Sequence, residues 1–139
     1  MVELGNHEQL NSLSERVIGA AIEVHSNLGP GLLEGSYEAC LKHELEQQGL
    51  SVRSQVLLPI TYKGLIVNNA YRIDLLIENV LVVEVKAVAR ADDVHLAQVL
   101  TYLKHGSFPL GLILNFHAPT LTKGLKRVVG PSFPNSVKL

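Results

Sequence analysis

The chain has 139 residues, enough for one domain to bury a core without staples, and its 47% hydrophobic and 18% charged composition excludes a disordered or fibrous protein. Apolar runs such as Val80 to Val83 fall far short of the roughly 20 residues that cross a bilayer, so no membrane partner is expected. The net charge of −1 conceals an asymmetry: residues 1–50 carry eight acidic and two basic side chains, a net of −6, whereas residues 51–139 carry ten basic and five acidic, a net of +5. Basic charge gathered in the second half is compatible with a phosphate-facing surface, although a nucleic-acid-binding domain usually shows a larger excess.

The N-terminal segment has no basic region, apolar run or small-residue cleavage site of a secretory signal, which predicts a cytoplasmic location. From Glu8 to Asn27, apolar residues at Leu10, Leu13, Val17, Ala20, Ala21, Val24 and Leu28 recur at helical spacing, and Gly29-Pro30-Gly31 ends the helix. A second helix is expected over Glu34 to Gln48, with Leu33, Tyr37, Cys40, Leu41 and Leu45 on one side and Gly49 as its stop. Cys40 is the only cysteine, so no internal disulfide can form, and its place in that pattern predicts a buried thiol acting as a small hydrophobe.

After Gly49 the period changes. Val52 to Tyr62, Tyr71 to Ile77 and Val80 to Val88 are rich in strand-forming residues and read as three antiparallel strands. The runs IDLLI and VLVVEV are apolar on both faces, so these strands should lie centrally, with the two helices on one face. Asp92 or Asp93 can cap a third helix running to about His105, followed by a strand over Leu110 to Asn115. A short last element from Thr122 to Val129 carries Lys123, Lys126 and Arg127, and there is no internal repeat, low-complexity tract or linker. One α/β domain spanning 1–139 is expected.

Apart from Arg72 near a strand start, Asp74, Glu84 and Lys86 are the only charged residues inside the central apolar strands. Burying such groups is costly unless they are paired or hold a metal. Glu84 and Lys86, two apart on one strand, project from one face. Asp74 joins them only if the hairpin turn is three residues long, Glu78 to Val80, or carries an equivalent bulge; a two-residue turn would send it to the opposite face. The three-residue turn is therefore predicted, with Asn79 left-handed. Two carboxylates about 5 Å apart repel by a few kcal/mol even at an effective dielectric near 20, and a divalent cation between them removes that strain. Oxygen ligands point to Mg²⁺ or Mn²⁺ rather than zinc, and a lysine alongside can position a water and offset phosphate charge. On spacing alone, a buried ion-pair network without catalysis explains these residues equally well.

The motifs GLLEGSY (Gly31 to Tyr37), set within EVHSNLGPGLLEGSYEACL, and YRIDLLI, VEVKA and HLAQVLTYL, in this order, resemble the GxxExxY protein family of the PD-(D/E)xK nuclease superfamily, from the first helix to the strand at Leu110. The resemblance implies a restriction-endonuclease-like core, a central mixed β-sheet flanked by helices. It also implies a metal-ligating Asp74, the ExK motif at Glu84-Val85-Lys86 with the Val85 carbonyl as a further ligand, and Glu34 helping to hold a metal-bound water. Gln98 and, one turn later, Tyr102 resemble the helix motif beside the superfamily's metal site and share a helical face. Glu23, His25 and His95 are secondary candidates, and a lone histidine such as His25 is more often structural. The six histidines show no zinc spacing, and no phosphate loop or nucleophile motif is present.

These readings predict Mg²⁺- or Mn²⁺-dependent hydrolysis of phosphodiester bonds in DNA. The rival is a non-catalytic nucleic-acid-binding or assembly protein, a subunit of a repair or defence complex, that keeps the cluster for stability. A homodimer would suit a two-strand cut, and a partner protein would suit a chain with little surface for sequence recognition.

Overall fold

The computed structural model describes residues 6–90 and 93–134. Helix α1 (His7–Leu28) starts at Asn6, whose side chain accepts the Gln9 N–H at 2.9 Å. It buries Leu10, Leu13, Val17, Ala20, Ala21 and Val24, the predicted stripe, whereas Leu28 at its last turn is 38% exposed. Gly29 (φ 70°) ends it in a conformation that costs glycine least. Helix α2 (Glu34–Gln47) buries Tyr37, Leu41 and Leu45.

Two expectations for α2 fail. Cys40 is exposed rather than buried, and Leu33, at the helix boundary, is 83% exposed. The buried stripe is narrow, and Cys40 sits about 100° around the helix from Leu41, outside it.

Five strands follow: β1 (Val52–Tyr62), β2 (Leu65–Ile77), β3 (Leu81–Lys86), β4 (Leu110–Asn115) and β5 (Leu125–Val129), in sheet order β1-β2-β3-β4-β5. All neighbours are antiparallel except β3 and β4, which run parallel and are joined through helix α3 (Asp93–Gly106), the crossover a parallel pair requires. This mixed sheet flanked by helices is the restriction-endonuclease-like arrangement.

Strand β2 begins six residues earlier than its apolar pattern suggests, because residues 61–70 are exposed and offer no core-facing alternation. Strand β3 is shorter than Val80 to Val88: Val80 belongs to the turn, and Val88 is held by the Asn115 side chain. Asp93 is the first residue of α3, and Asp92 lies outside the described residues. The last predicted element divides into a 3₁₀ turn (Leu121–Gly124) and β5.

The sheet separates two cores. Helices α1 and α2 cover Leu75, Ile77, Leu81, Val83, Val85 and the β4 leucines on one face. Val99 and Leu103 of α3 cover Ile73, Leu76, Val82 and Ile113 on the other. Helix α3 packs close at Gly111, where a Cβ would lie 2.9 Å from Val99 Cγ1. The runs IDLLI of β2 and VLVVEV of β3 thus lie inside the sheet with core on both faces, as predicted, and β4 is buried throughout as well. No described helix is long and apolar enough to cross a membrane.

Candidate functional site

The β2–β3 turn sets the geometry. Glu78 (φ 52°) and Asn79 (φ 59°) are both left-handed, and the Val80 N–H closes onto the Ile77 carbonyl at 3.1 Å. Asn tolerates this conformation; Glu78 is held in it by Ser51, whose N–H donates to the Glu78 carboxylate at 3.0 Å and whose carbonyl accepts the Glu78 N–H at 2.9 Å. The three-residue turn fixes the pairs Ile77–Leu81, Leu76–Val82 and Leu75–Val83, so Asp74 is next opposite Glu84, as predicted.

At that point the backbone ladder gives way to side chains. The Asp74 N–H donates to Glu84 Oε2 at 2.9 Å, and the Val85 N–H donates to Asp74 Oδ2 at 2.9 Å. Each carboxylate satisfies a backbone donor beside the other, which holds both in place. On the β1 side the pairing also opens: Gln55, opposite Asp74, is left-handed (φ 53°), and its amide donates to both Glu38 oxygens at 2.9 Å and to Asp74 Oδ1 at 3.4 Å. Ile73 and Leu76, three residues apart, lie in the same core, so strict alternation is interrupted where Asp74 sits.

Glu84 is 3% exposed. Burial first, then the Asp74 charge, pushes its carboxyl up to about 7 against the opposing pull of the Asp74 N–H and Lys86. Burial likewise raises the Glu38 carboxyl, with the Gln55 amide opposing and Asp74 adding to the rise. The Tyr102 hydroxyl is raised by burial, then by Glu84 and Asp74.

A cleft of about 320 Å³ gathers Glu34, Asp74, Glu84, Lys86, Gln98 and Tyr102, six residues singled out from the sequence, on elements α2, β2, β3 and α3. Val85 contributes backbone only, its side chain being buried under α1 and α2. Because its N–H faces Asp74 and the Lys86 carbonyl accepts from Phe116 on the β4 side, the Val85 carbonyl points toward β2.

The secondary candidates lie elsewhere. His25 is buried, its Nε2 donates to the Ala118 carbonyl at 2.8 Å, and its ring stacks near Phe116, a structural role. Glu23 is exposed and accepts from the Asn27 amide at 3.0 Å. His95, half-buried on α3, is not among the residues lining the cleft.

Sequence reading missed Glu38, Gln55, Asn69, Tyr71 and, as a site residue, Arg72. Glu38 follows Glu34 by four on α2, a spacing that signals a shared face. Tyr71 stacks on Tyr102 at 4.7 Å and ties α3 to β2 above the carboxylates. Gln55 gave no signal, because its reach depends on a left-handed backbone inside a strand.

In GLLEGSY, Glu34 lines the cleft and Tyr37 enters the core, where it stacks on Phe116 at 4.6 Å. The Tyr37 hydroxyl donates to the Gly29 carbonyl at 2.6 Å and accepts the Leu32 N–H at 3.0 Å, fixing the turn that delivers α2.

A family model for the PD-(D/E)XK nuclease superfamily matches residues 11–128. The chain belongs to the PD-(D/E)XK nuclease superfamily. No curated protein and no solved structure matches it. The matched span runs from the first turns of α1 to the end of β5 and contains the whole cleft, and membership supports a nuclease-type function with nucleic acid as the class of partner. PD-(D/E)XK nucleases generally use divalent metals. Among the described residues no three His, Cys, Asp or Glu side chains converge on one point as a metal cluster. Any cation in this cleft would therefore draw ligands from backbone, water or substrate as well as from the two carboxylates.

Proposed function

We propose that this chain, acting as one nuclease-like domain of the GxxExxY type, hydrolyses phosphodiester bonds in DNA with Mg²⁺ or Mn²⁺ held by Asp74, Glu84 and the Val85 carbonyl. The observation that carries this reading is the reciprocal pair of hydrogen bonds that sets Asp74 against Glu84, with Lys86 in the same cleft. Two carboxylates and a carbonyl leave half of an octahedron to water and phosphate oxygens, which suits a hard cation that dehydrates reluctantly and does not suit zinc. When bound, such a cation supplies Lewis acidity toward a phosphoryl oxygen.

The chain's own residues do the rest. Asp74 and Glu84 are fixed by backbone N–H groups, so they do not reorganise as charge develops. Lys86, which has no carboxylate partner among the described residues, faces the scissile phosphate as an ammonium that offsets charge on the non-bridging oxygens and orients the attacking water. The water oxygen bonds to phosphorus as the bond to the leaving deoxyribose oxygen breaks, and that oxygen takes a proton from solvent. Glu34 accepts a proton of that water from the rim, and the Gln98 amide orients a phosphate oxygen beside the Tyr102 ring. A cytoplasmic location suits the exposed lone thiol of Cys40, which stays reduced there.

The test is calorimetry with Mg²⁺ and Mn²⁺ and a DNA cleavage assay on the native chain, Asp74→Asn and Glu84→Gln. Binding and cleavage should vanish in both variants while the fold persists, since each amide can still accept the backbone N–H. A native chain that binds no divalent cation, even with DNA present, would leave a non-catalytic cluster.

A further inference from the structure

We infer that a basic cleft beside the carboxylate site, framed by Arg90, His117, Lys123 and Lys126, is a second phosphate-binding site that grips the nucleic-acid backbone within a few nucleotides of the scissile bond. The inference rests on the nuclease reading for its ligand and on independent geometry for its existence. The cleft has a volume of about 430 Å³, and among the described residues no carboxylate lines it. Among the described residues the one ion pair is Lys42–Glu46, so Arg90, Lys123 and Lys126 have no acidic partner among them.

The walls are built rather than accidental. Asn115, only 6% exposed, accepts the N–H groups of Val88 and His117 at 3.2 Å and donates to the Val88 carbonyl at 2.9 Å. One buried amide thereby clamps the segment bearing Arg90 to the turn bearing His117. Gly124 closes the other side: a Cβ there would lie 2.2 Å from the Asn115 carbonyl oxygen, so the backbone between Lys123 and Lys126 presses directly on the end of β4.

Register places this cleft on the catalytic face. Glu84 pairs with Ile113 and Ile113 with Lys126, so all three project to one side, and Lys86 pairs with Asn115 in the same way. From β3 to β5 is two strand spacings, roughly 10 Å, a reach that lets one nucleic-acid strand touch both sites. Arg90, Lys123 and Lys126 are exposed, as groups contacting phosphate from solvent must be.

The experiment is fluorescence anisotropy of a labelled DNA duplex in EDTA, where cleavage is silent, titrated across NaCl concentrations. Each lost phosphate contact lowers the slope of log affinity against log salt by about 0.9, so Lys123→Gln/Lys126→Gln should lower it by about 1.8 and Arg90→Gln by about 0.9. Lys42→Gln, on α2, removes the same charge elsewhere and should leave the slope unchanged. A parallel calorimetric titration with inorganic pyrophosphate should show binding to the native chain and its loss in the double variant. DNA binding whose slope is the same in the cleft variants would overturn the inference and spare the nuclease reading. A chain that binds pyrophosphate through the cleft but binds no nucleic acid would uphold the phosphate site and sink that reading, and failure to bind either ligand would overturn the inference.

Discussion

Glu84 concentrates the tension of the site in one side chain. Its carboxyl, ordinarily near 4.5, is raised to about 7 by burial and by Asp74, so between those values the folded chain holds a proton that the unfolded chain has released. Stability from this group is complete below about pH 4.5 and is lost as pH rises toward 7, a loss of up to about 3 kcal/mol. In EDTA, urea denaturation should show native stability falling relative to Glu84→Gln across that window and running parallel above it; curves parallel throughout would mean the carboxylate ionises freely when buried. The same tension made the site legible: Asp74, Glu84 and Lys86 stood out as charges among apolar strand residues. Gln55 did not, because its approach depends on an opened ladder at Asp74 that no residue pattern encodes, and Glu38 is marked only by its four-residue spacing from Glu34.

At the level of elements, the spans of α1, α2, β1 and β4 followed from periodicity and turn residues, and the β2–β3 turn length followed from requiring the two carboxylates to meet. What periodicity could not give was which helical residues a narrow stripe would leave outside, hence Cys40 and Leu33, nor that the arm residues 61–70 would pair without a core to face. The start of α2 depends on Tyr37 rather than on a side-chain cap, which this helix lacks. Tyr37→Phe keeps the stack on Phe116 but removes the hydroxyl shared by Leu32 and Gly29, leaving a part-buried donor and acceptor unpaired. The expected cost is about 1–3 kcal/mol by urea denaturation. Because Glu34 and Glu38 sit in the turns that this anchor delivers, the variant should also lose cleavage activity at temperatures where it remains folded. Unchanged stability and activity would show that the turn is fixed by backbone conformation alone.

Across the whole molecule the fold converts an asymmetry along the chain into one across the sheet. The acid-rich helices α1 and α2 layer one face, Glu84, Lys86 and Lys126 project from the other, and α2 reaches the carboxylate cleft at Glu34. A chain of net charge −1 can therefore present a local cationic surface to a polyanion while repelling it elsewhere, which orients the encounter. The glutamates of α1 then have little say in affinity: Glu15 and Glu23 are exposed and line neither cleft, so they act on bound phosphate only through solvent, where the Debye length is about 8 Å at 0.15 M salt. Glu15→Gln/Glu23→Gln should change duplex affinity by less than about twofold at that salt, although it raises the net charge as much as Lys123→Gln/Lys126→Gln lowers it. If the two double variants instead shifted affinity by equal and opposite amounts, the duplex would be responding to total charge, and the polarity of the fold would have no part in how it is held.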